Sequence, residues 1–326
     1  MSKILVIQPL RPEALRLFEA RADVAFEVVT DVSPDNLLRC VADADALTIR
    51  DAPLPLDVVA AATRLRVISR HGVGTDNIPV AYCTARGLPV TVVGDVNAVS
   101  VAEHTLYLLL AVARRGIALD AAVRRGAFAE RSRLPGLELR GRTLLLIGFG
   151  RIGREVAVRA TAFGMRVLAF DPFADRAVVP GIAFVDDLDA GLRQADVVSV
   201  HVPLGPGTRG LIGAREIALL PPDAIVLNAA RGGVVDEDAL AAALDSGRLW
   251  GAGIDTFETE PPDPASPLAR SDRTVLSPHS AALTEESMVA MGVMAARNAL
   301  AGLDGSLDPA LVVNREVLKE AHDARQ

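Results

Sequence analysis

Residues 143 to 171, TLLLIGFGRIGREVAVRATAFGMRVLAFD, constrain the chain more than any other stretch. An apolar run, Leu144 to Ile147, meets Gly148-Phe149-Gly150-Arg151-Ile152-Gly153. A helical pattern follows, then a second strand from Arg166 to Phe170 that ends at Asp171. In such a unit the first glycine allows a tight turn, the second lets backbone approach a pyrophosphate, and the third lets helix pack on strand. The new helix offers unpaired N–H groups and the positive end of its dipole to phosphates. Asp171 lies 18 residues past Gly153, at the tip of the second strand, where a carboxylate accepts hydrogen bonds from an adenosine ribose. GxGxxG alone is a weak signal; strand, turn, helix, strand and acid in this order read as a dinucleotide site. Asp171 favours NAD over NADP, because a carboxylate repels a 2′-phosphate and Pro172 rather than Arg follows it.

Two strand–helix alternations succeed each other. The first has strands near Ile4–Ile7, Phe26–Val29, Ala46–Ile49, Arg66–Ser69 and Pro89–Val93. The second runs through Thr143–Ile147, Arg166–Phe170, Val197–Val200, Ala224–Asn228, Gly251–Asp255 and Thr274–Leu276. Alternation of this kind predicts α/β architecture with two doubly wound parallel sheets, each covered on both faces. The first half lacks a glycine fingerprint after its first strand, where Gln8-Pro9-Leu10-Arg11 stands, so it need not bind a nucleotide. A long apolar helix from Val99 to Arg115 separates the halves, and a second long helix, Glu285 to Leu300, follows the last strand. The tail then has little left to build except by returning to the first domain. The expected organisation is therefore discontinuous: residues 1–98 plus 284–326 form a substrate domain, and 99–283 form the nucleotide domain inserted into it.

Composition narrows the chemistry. With 326 residues the chain is long enough for two cores, and a net charge of −7 gives no hint of a nucleic-acid surface. The only lysines are Lys3 and Lys319, which excludes a Walker-type phosphate loop and argues against Schiff-base chemistry. Cys40 and Cys83 have no metal-ligand spacing and read as two inert thiols in a reducing compartment. SKILVIQPL at the N-terminus reads as a first strand rather than a signal peptide, and no apolar stretch reaches the roughly 20 residues of a membrane span. A cytoplasmic protein without a metal, a nucleic acid or a membrane partner is expected.

Four more segments fall at strand ends of the second half: His201-Val-Pro-Leu, Asn228-Ala-Ala-Arg-Gly-Gly, Gly253-Ile-Asp-Thr-Phe-Glu-Thr-Glu-Pro-Pro and Ser277-Pro-His-Ser-Ala-Ala. Carboxyl ends of strands line the ligand crevice of open α/β sheets. In this order, with RHGVGTDNI and NAVSVAEHTLYLLL before them, they make nearly the whole chain resemble the NAD-dependent D-2-hydroxyacid dehydrogenases. That family includes phosphoglycerate, glycerate and D-lactate dehydrogenases. The resemblance implies a Rossmann NAD domain inserted into a flavodoxin-like substrate domain. It also implies a catalytic trio of Arg231, Glu260 and His279. Elementary chemistry gives each a task. Oxidising a secondary alcohol by hydride transfer requires removal of the hydroxyl proton, and imidazole titrates near the working pH, so His279 is the base, or the acid in reduction. Glu260 would orient that ring and stabilise the imidazolium. Arg231 offers a planar donor fork to the substrate's carboxylate and carbonyl.

Further contacts are implied by the same resemblance. Around NAD these are Gly148, Gly150, Gly153 and the backbone of Arg151 and Ile152 at the pyrophosphate, and Asp171 at the ribose. Val202, Pro203 and Thr208 would border adenine and ribose. Ala229, Ala230, Arg231, Asp255 and His279 would surround the nicotinamide, Asp255 taking its carboxamide. Backbone N–H groups of Gly72, Val73 and Gly74 would hold the substrate carboxylate, with Arg231 and His279. Arg50 either reads a distal group of the substrate or is solvated. His71 adjoins that loop, His201 suits backbone contact, and His104 reads as a packed or interface histidine; His322 belongs to the tail. Ala281 departs from the glycine that many relatives carry after the catalytic histidine.

The function so implied is hydride transfer between NAD(H) and a small D-2-hydroxy or 2-keto acid. Two alternatives stay open: an NAD(H)-sensing, corepressor-like protein on the same fold, and an NADPH-dependent glyoxylate or hydroxypyruvate reductase, which Asp171 disfavours. The helix from Val99 to Arg114 is apolar on nearly all faces, as a buried or interface helix is. Relatives dimerise through it, so a homodimer is expected.

Overall fold

The apolar runs of the first hundred residues become five parallel strands. They are β1 (Ser2–Ile7), β2 (Val24–Val29), β3 (Ala46–Ile49), β4 (Val67–Arg70) and β5 (Val90–Thr91). Their order is β2-β1-β3-β4-β5, a doubly wound arrangement of the flavodoxin kind. The computed structural model describes residues 1–174 and 181–318; His322 and Lys319 lie outside them. Within it this sheet belongs to a unit made of Met1–Asn97 and the segment that begins at Thr284, while Ala98–Leu283 form a second unit.

Both faces of the first sheet are covered, which is why β1 and β3 read as unbroken apolar runs. Ile4, Val6, Ala46 and Val67 pack against Phe18 and against Ala296, Ala299 and Leu303 of the helix Glu285–Asp304. Leu5, Ile7, Leu47, Ile49 and Ile68 meet Leu37, Val58 and Val59 on the other side. That helix runs four residues beyond the expected Leu300. The fifth strand is shorter than the sequence suggested. Val92 and Val93 donate their N–H groups to Leu311 and Gly72 instead of extending it, and Val312 forms an antiparallel bridge to Thr91. The end of the chain thereby covers an edge that would otherwise offer unpaired backbone.

The second unit holds β6 (Thr143–Ile147), β7 (Arg166–Phe170), β8 (Ala183–Phe184), β9 (Val197–Val200), β10 (Ala224–Asn228), β11 (Leu249–Ile254) and β12 (Thr274–Leu276). All are parallel, in the order β12-β11-β10-β9-β6-β7-β8, so the chain changes winding direction between β6 and β9. This is the Rossmann order, and ligands sit at such a switch point. The two-residue β8 carries too little pattern for the sequence to announce it. The helix Ala98–Ala113 lays Leu108, Leu109 and Val112 on Leu144, Leu146, Ile225 and Leu227. Truncating a buried leucine of this kind to alanine costs about 2–5 kcal/mol. Of the two settings expected for this helix, a core or an interface, the core accounts for one side: Val99, Glu103 and Tyr107 are exposed in the single chain, because only one side of the helix meets the sheet.

The fingerprint turn depends on two missing side chains. Gly148 has φ +94°, and a Cβ there would lie 2.6 Å from the His201 carbonyl oxygen. A Cβ on Gly153 would lie 2.4 Å from the Gly148 oxygen, so the helix could not sit this close to the strand.

Candidate active site

Parallel pairing of β10, β11 and β12 aligns Asn228 with Ile254 and Ile254 with Leu276, so the residues just past each strand emerge side by side. Asn228 closes the first loop with both ends of its amide. Its Oδ1 accepts from Ala230 N at 3.1 Å, and its Nδ2 donates to the Arg231 carbonyl at 2.8 Å. Arg231 in turn donates from Nη1 to the Ala230 carbonyl at 2.6 Å, which orients the guanidinium beside the loop.

Asp255 organises the third loop. Its side chain is 0% exposed, and it accepts from Ser277 Oγ at 2.6 Å, Ser280 N at 2.9 Å and Ala281 N at 3.0 Å. Its carbonyl accepts from His279 N at 2.7 Å. Burial works to raise the Asp255 carboxyl, but the bonds from His104, Ser277, Ser280 and Ala281 outweigh it and hold the group below its ordinary value. So occupied, the Asp255 carboxylate shapes residues 277–281, a task beside the carboxamide contact expected of it. Nothing in the sequence pattern marks the difference, since an acid at a strand end suits either role.

His279 sits in the left-handed region at φ 50°, a conformation that this loop imposes on it. Its Nδ1 lies 2.9 Å from Glu260 Oε2 and 3.1 Å from Oε1. Glu260 is held by the Phe257 amide, which donates to Oε1 at 3.1 Å. The hydrogen bond that His279 donates to Glu260 raises its pKa above 6.5, against burial and the positive charge of Arg231, with Asp255 adding its own field. Burial would raise the Glu260 carboxyl, but the bonds from His279 and Phe257 leave it lowered. The carboxylate only accepts, so Nδ1 carries the hydrogen and Nε2 is the nitrogen that exchanges a proton. Arg231, Glu260 and His279 therefore come together within one unit, and all three stand past strand ends.

The fingerprint residues lie in the same unit and suit a dinucleotide. A Cβ on Gly150 would meet nothing within 4 Å, which leaves room beside the backbone. Gly150 precedes the helix Arg151–Ala162, and no side chain caps its N–H groups. Asp171 accepts from Phe149 N at 2.8 Å, so the expected ribose ligand also steadies the turn. Thr208 Oγ1 donates to the Pro203 carbonyl at 2.6 Å and accepts from Gly205 N at 2.8 Å, closing the loop after Val202. His201 is half-buried, with Nε2 2.9 Å from Ser199 Oγ, and desolvation lowers its pKa to about 4; it is a neutral structural residue. Ala229 and Ala281 pack with Val101 beneath these loops.

The remaining candidates belong to the first unit. Gly72 follows β4, but its N–H donates to the Arg70 carbonyl at 3.0 Å, so it is not one of the amides on offer to a carboxylate; Val73 and Gly74 continue the loop. Arg50 follows β3, bonds the Pro9 carbonyl at 3.3 Å and keeps a buried Nε without a hydrogen bond. Arg70, which the sequence reading passed over, ends β4 and pairs with Asp51 at 3.1 Å. His71 is 4% exposed beside these two arginines; burial first, then Arg50 and Arg70, lower its pKa to about 4. The signal for Arg70 was its place at a strand end, next to Arg50 on the neighbouring strand.

Comparison with known proteins gives the family of the chain. A family model described as D-isomer specific 2-hydroxyacid dehydrogenase, NAD binding domain, matches residues 106–281. The chain is 42% identical over 310 residues to a D-3-phosphoglycerate dehydrogenase of Methanocaldococcus jannaschii, covering 94% of this chain and 58% of that protein. It thus spans little more than half the length of that relative. It is 39% identical to a glyoxylate reductase of Thermofilum pendens, covering 97% of this chain and 96% of the other. A solved structure of D-lactate dehydrogenase from Aquifex aeolicus, complexed with NAD and lactic acid, superposes with a TM-score of 0.84 at 28% identity, over 95% of this chain and 99% of that one.

Proposed function

The chain belongs to the D-isomer specific 2-hydroxyacid dehydrogenase family, and on that premise we propose that it transfers a hydride between NAD(H) and a small D-2-hydroxy or 2-keto acid. The observation that carries the reading is the Glu260–His279 pair, 2.9 Å apart, with Arg231 close enough to act on its charge. Ala98–Leu283 serves as the NAD-binding domain, the other unit as the substrate domain. Bound nicotinamide supplies or accepts the hydride. His279 Nε2 takes the hydroxyl proton in oxidation and returns it in reduction. Glu260 stabilises the imidazolium, and Arg231 presents its fork to the carboxylate and carbonyl. Backbone amides after Gly72 hold the substrate carboxylate in the same reading.

The substrate domain supports a refinement. Arg50 and Arg70 stand at adjacent strand ends around a neutral His71. With Arg70 already paired to Asp51, the charge of Arg50 favours an acid with a second anionic group, such as a phosphate, over glyoxylate. The reading includes a cytoplasmic location, where NAD pools and reducing conditions suit the free thiols Cys40 and Cys83.

A panel of 2-hydroxy and 2-keto acids, followed by NADH absorbance, tests the proposal. Reduction of at least one 2-keto acid with NADH is expected, the phosphorylated member being preferred. Tight NADH binding without turnover of any acid would replace it with the sensor reading.

A further inference from the structure

We propose that His104 is a positioning residue for the acid–base histidine, acting through Ser277 and Asp255. The inference rests on the reaction assigned to His279 above. His104 Nε2 lies 2.7 Å from Ser277 Oγ, and Ser277 Oγ lies 2.6 Å from Asp255 Oδ1. These short contacts fix the direction of the hydrogens. The ionised carboxylate can only accept, so the Ser277 hydroxyl spends its one proton on Asp255. Ser277 must then accept from His104, whose Nε2 therefore bears the hydrogen; that Nε2 lies 3.4 Å from Asp255 Oδ1.

The chain of donors ends at the backbone of the catalytic loop. Asp255 holds Ser280 N and Ala281 N with its carboxylate, and His279 N with its carbonyl. His279 keeps its left-handed backbone only while that loop is held, and the backbone aims its ring at Glu260. A carboxylate at 0% exposure needs its donors, because an unmet acceptor in low dielectric is costly. His104 supplies the last of them from the helix Ala98–Ala113, with the Tyr107 ring against it at 5.5 Å between centroids. The charged groups that face His279 are Glu260, Arg231 and Asp255, and His104 faces Asp255. Loss of the His104 hydrogen bond loosens the loop and lengthens the His279–Glu260 contact, so the imidazolium loses support.

The test uses the full chain with His104→Leu, His104→Gln and Ser277→Ala. Glutamine places an amide donor where the imidazole Nε2 stands; leucine fills the volume without a donor. Two readouts apply: the NMR titration of His279 without substrate, and the pH profile of 2-keto acid reduction with NADH binding measured by fluorescence. His104→Leu should lower turnover at least tenfold, leave the NADH Kd within twofold, and bring the His279 midpoint down toward 6.5. His104→Gln should restore turnover to within threefold of the parent. Ser277→Ala should behave as His104→Leu does, and the double variant should be no worse than either. The inference is overturned if His104→Leu keeps the parent titration and profile, if His104→Gln is as impaired as the leucine variant, or if the two losses add. Should His104→Leu fail to fold, Ser277→Ala against His104→Gln makes the same comparison. The titration needs no turnover, so a shifted midpoint in a protein that reduces no 2-keto acid would refute the assigned reaction alone.

Discussion

Nδ1 of His279 lies 2.9 Å from Oε2 of Glu260, a contact between residues 19 apart in sequence that decides which ring nitrogen does the chemistry. Nε2 is left to exchange protons, and the negative partner keeps the ring protonated at higher pH than a free imidazole. Reduction needs the protonated ring, so activity should fall as pH rises through the raised value. His279→Ala should cut turnover about 10² to 10⁴-fold, the usual share of general acid–base catalysis, with NADH binding nearly intact. Glu260→Gln removes the charge, lowers the histidine pKa and should move the limb to lower pH. Steady-state profiles of both variants check this; an unmoved limb in Glu260→Gln would contradict the pairing.

Asp171 has two tasks, and one substitution should reveal both. NAD should be preferred over NADP at least tenfold, about 1.4 kcal/mol. Asp171→Ala should erase most of that preference by removing the charge that repels a 2′-phosphate. It should also weaken NAD binding, because Phe149 N loses its 2.8 Å acceptor in the turn. Cofactor Kd values for both nucleotides measure the outcome, and unchanged discrimination would sink the assignment.

Acid should destabilise the fold before it reaches the carboxylates. His71 and His201 are held at about 4, below the ordinary 6.5, mainly by burial. Between those values the unfolded chain binds protons that the folded chain refuses, so stability present above pH 6.5 is lost as pH falls toward 4. The loss is at most roughly 3 kcal/mol for each ring. His279, raised instead, opposes this weakly, since its contribution is present at low pH and lost only as pH rises through its raised value. Urea midpoints from pH 7 to 4.5 should fall steeply in the parent and less steeply in His201→Gln. Parallel slopes would exclude His201 as a source.

An apolar groove on the NAD-binding unit is lined by Leu106, Tyr107, Leu110, Ile117 and Phe163, with Glu103, Arg114 and Arg159 also lining it. Tyr107 is 49% exposed and Ile117 54%, more apolar surface than a helix on a sheet leaves by accident. A second copy covering it would make the homodimer that the family resemblance implies. Light scattering should give a dimer at micromolar concentration and a monomer for Tyr107→Asp. A monomeric parent would refute it.

Local sequence determined the strand–helix alternation, the fingerprint turn and the apolar faces. Each shows in residues within a few positions of one another: Gly148 because the turn needs φ +94°, β1 and β3 because their apolar runs are unbroken. The place of Arg231, Glu260 and His279 past strand ends was legible too; the roles expected of them came from the family resemblance. What proximity in the chain could not decide was how groups 22 to 173 residues apart share their hydrogen bonds. Asp255 could have faced a ligand; the tertiary structure turned it inward, because parallel pairing of β11 and β12 sets Ser277, Ser280 and Ala281 around it. His104 read as packing until the helix Ala98–Ala113 settled against the sheet and brought its ring to Ser277. A pattern of residue types specifies which groups can donate and accept, and only folding decides which donor each buried acceptor receives.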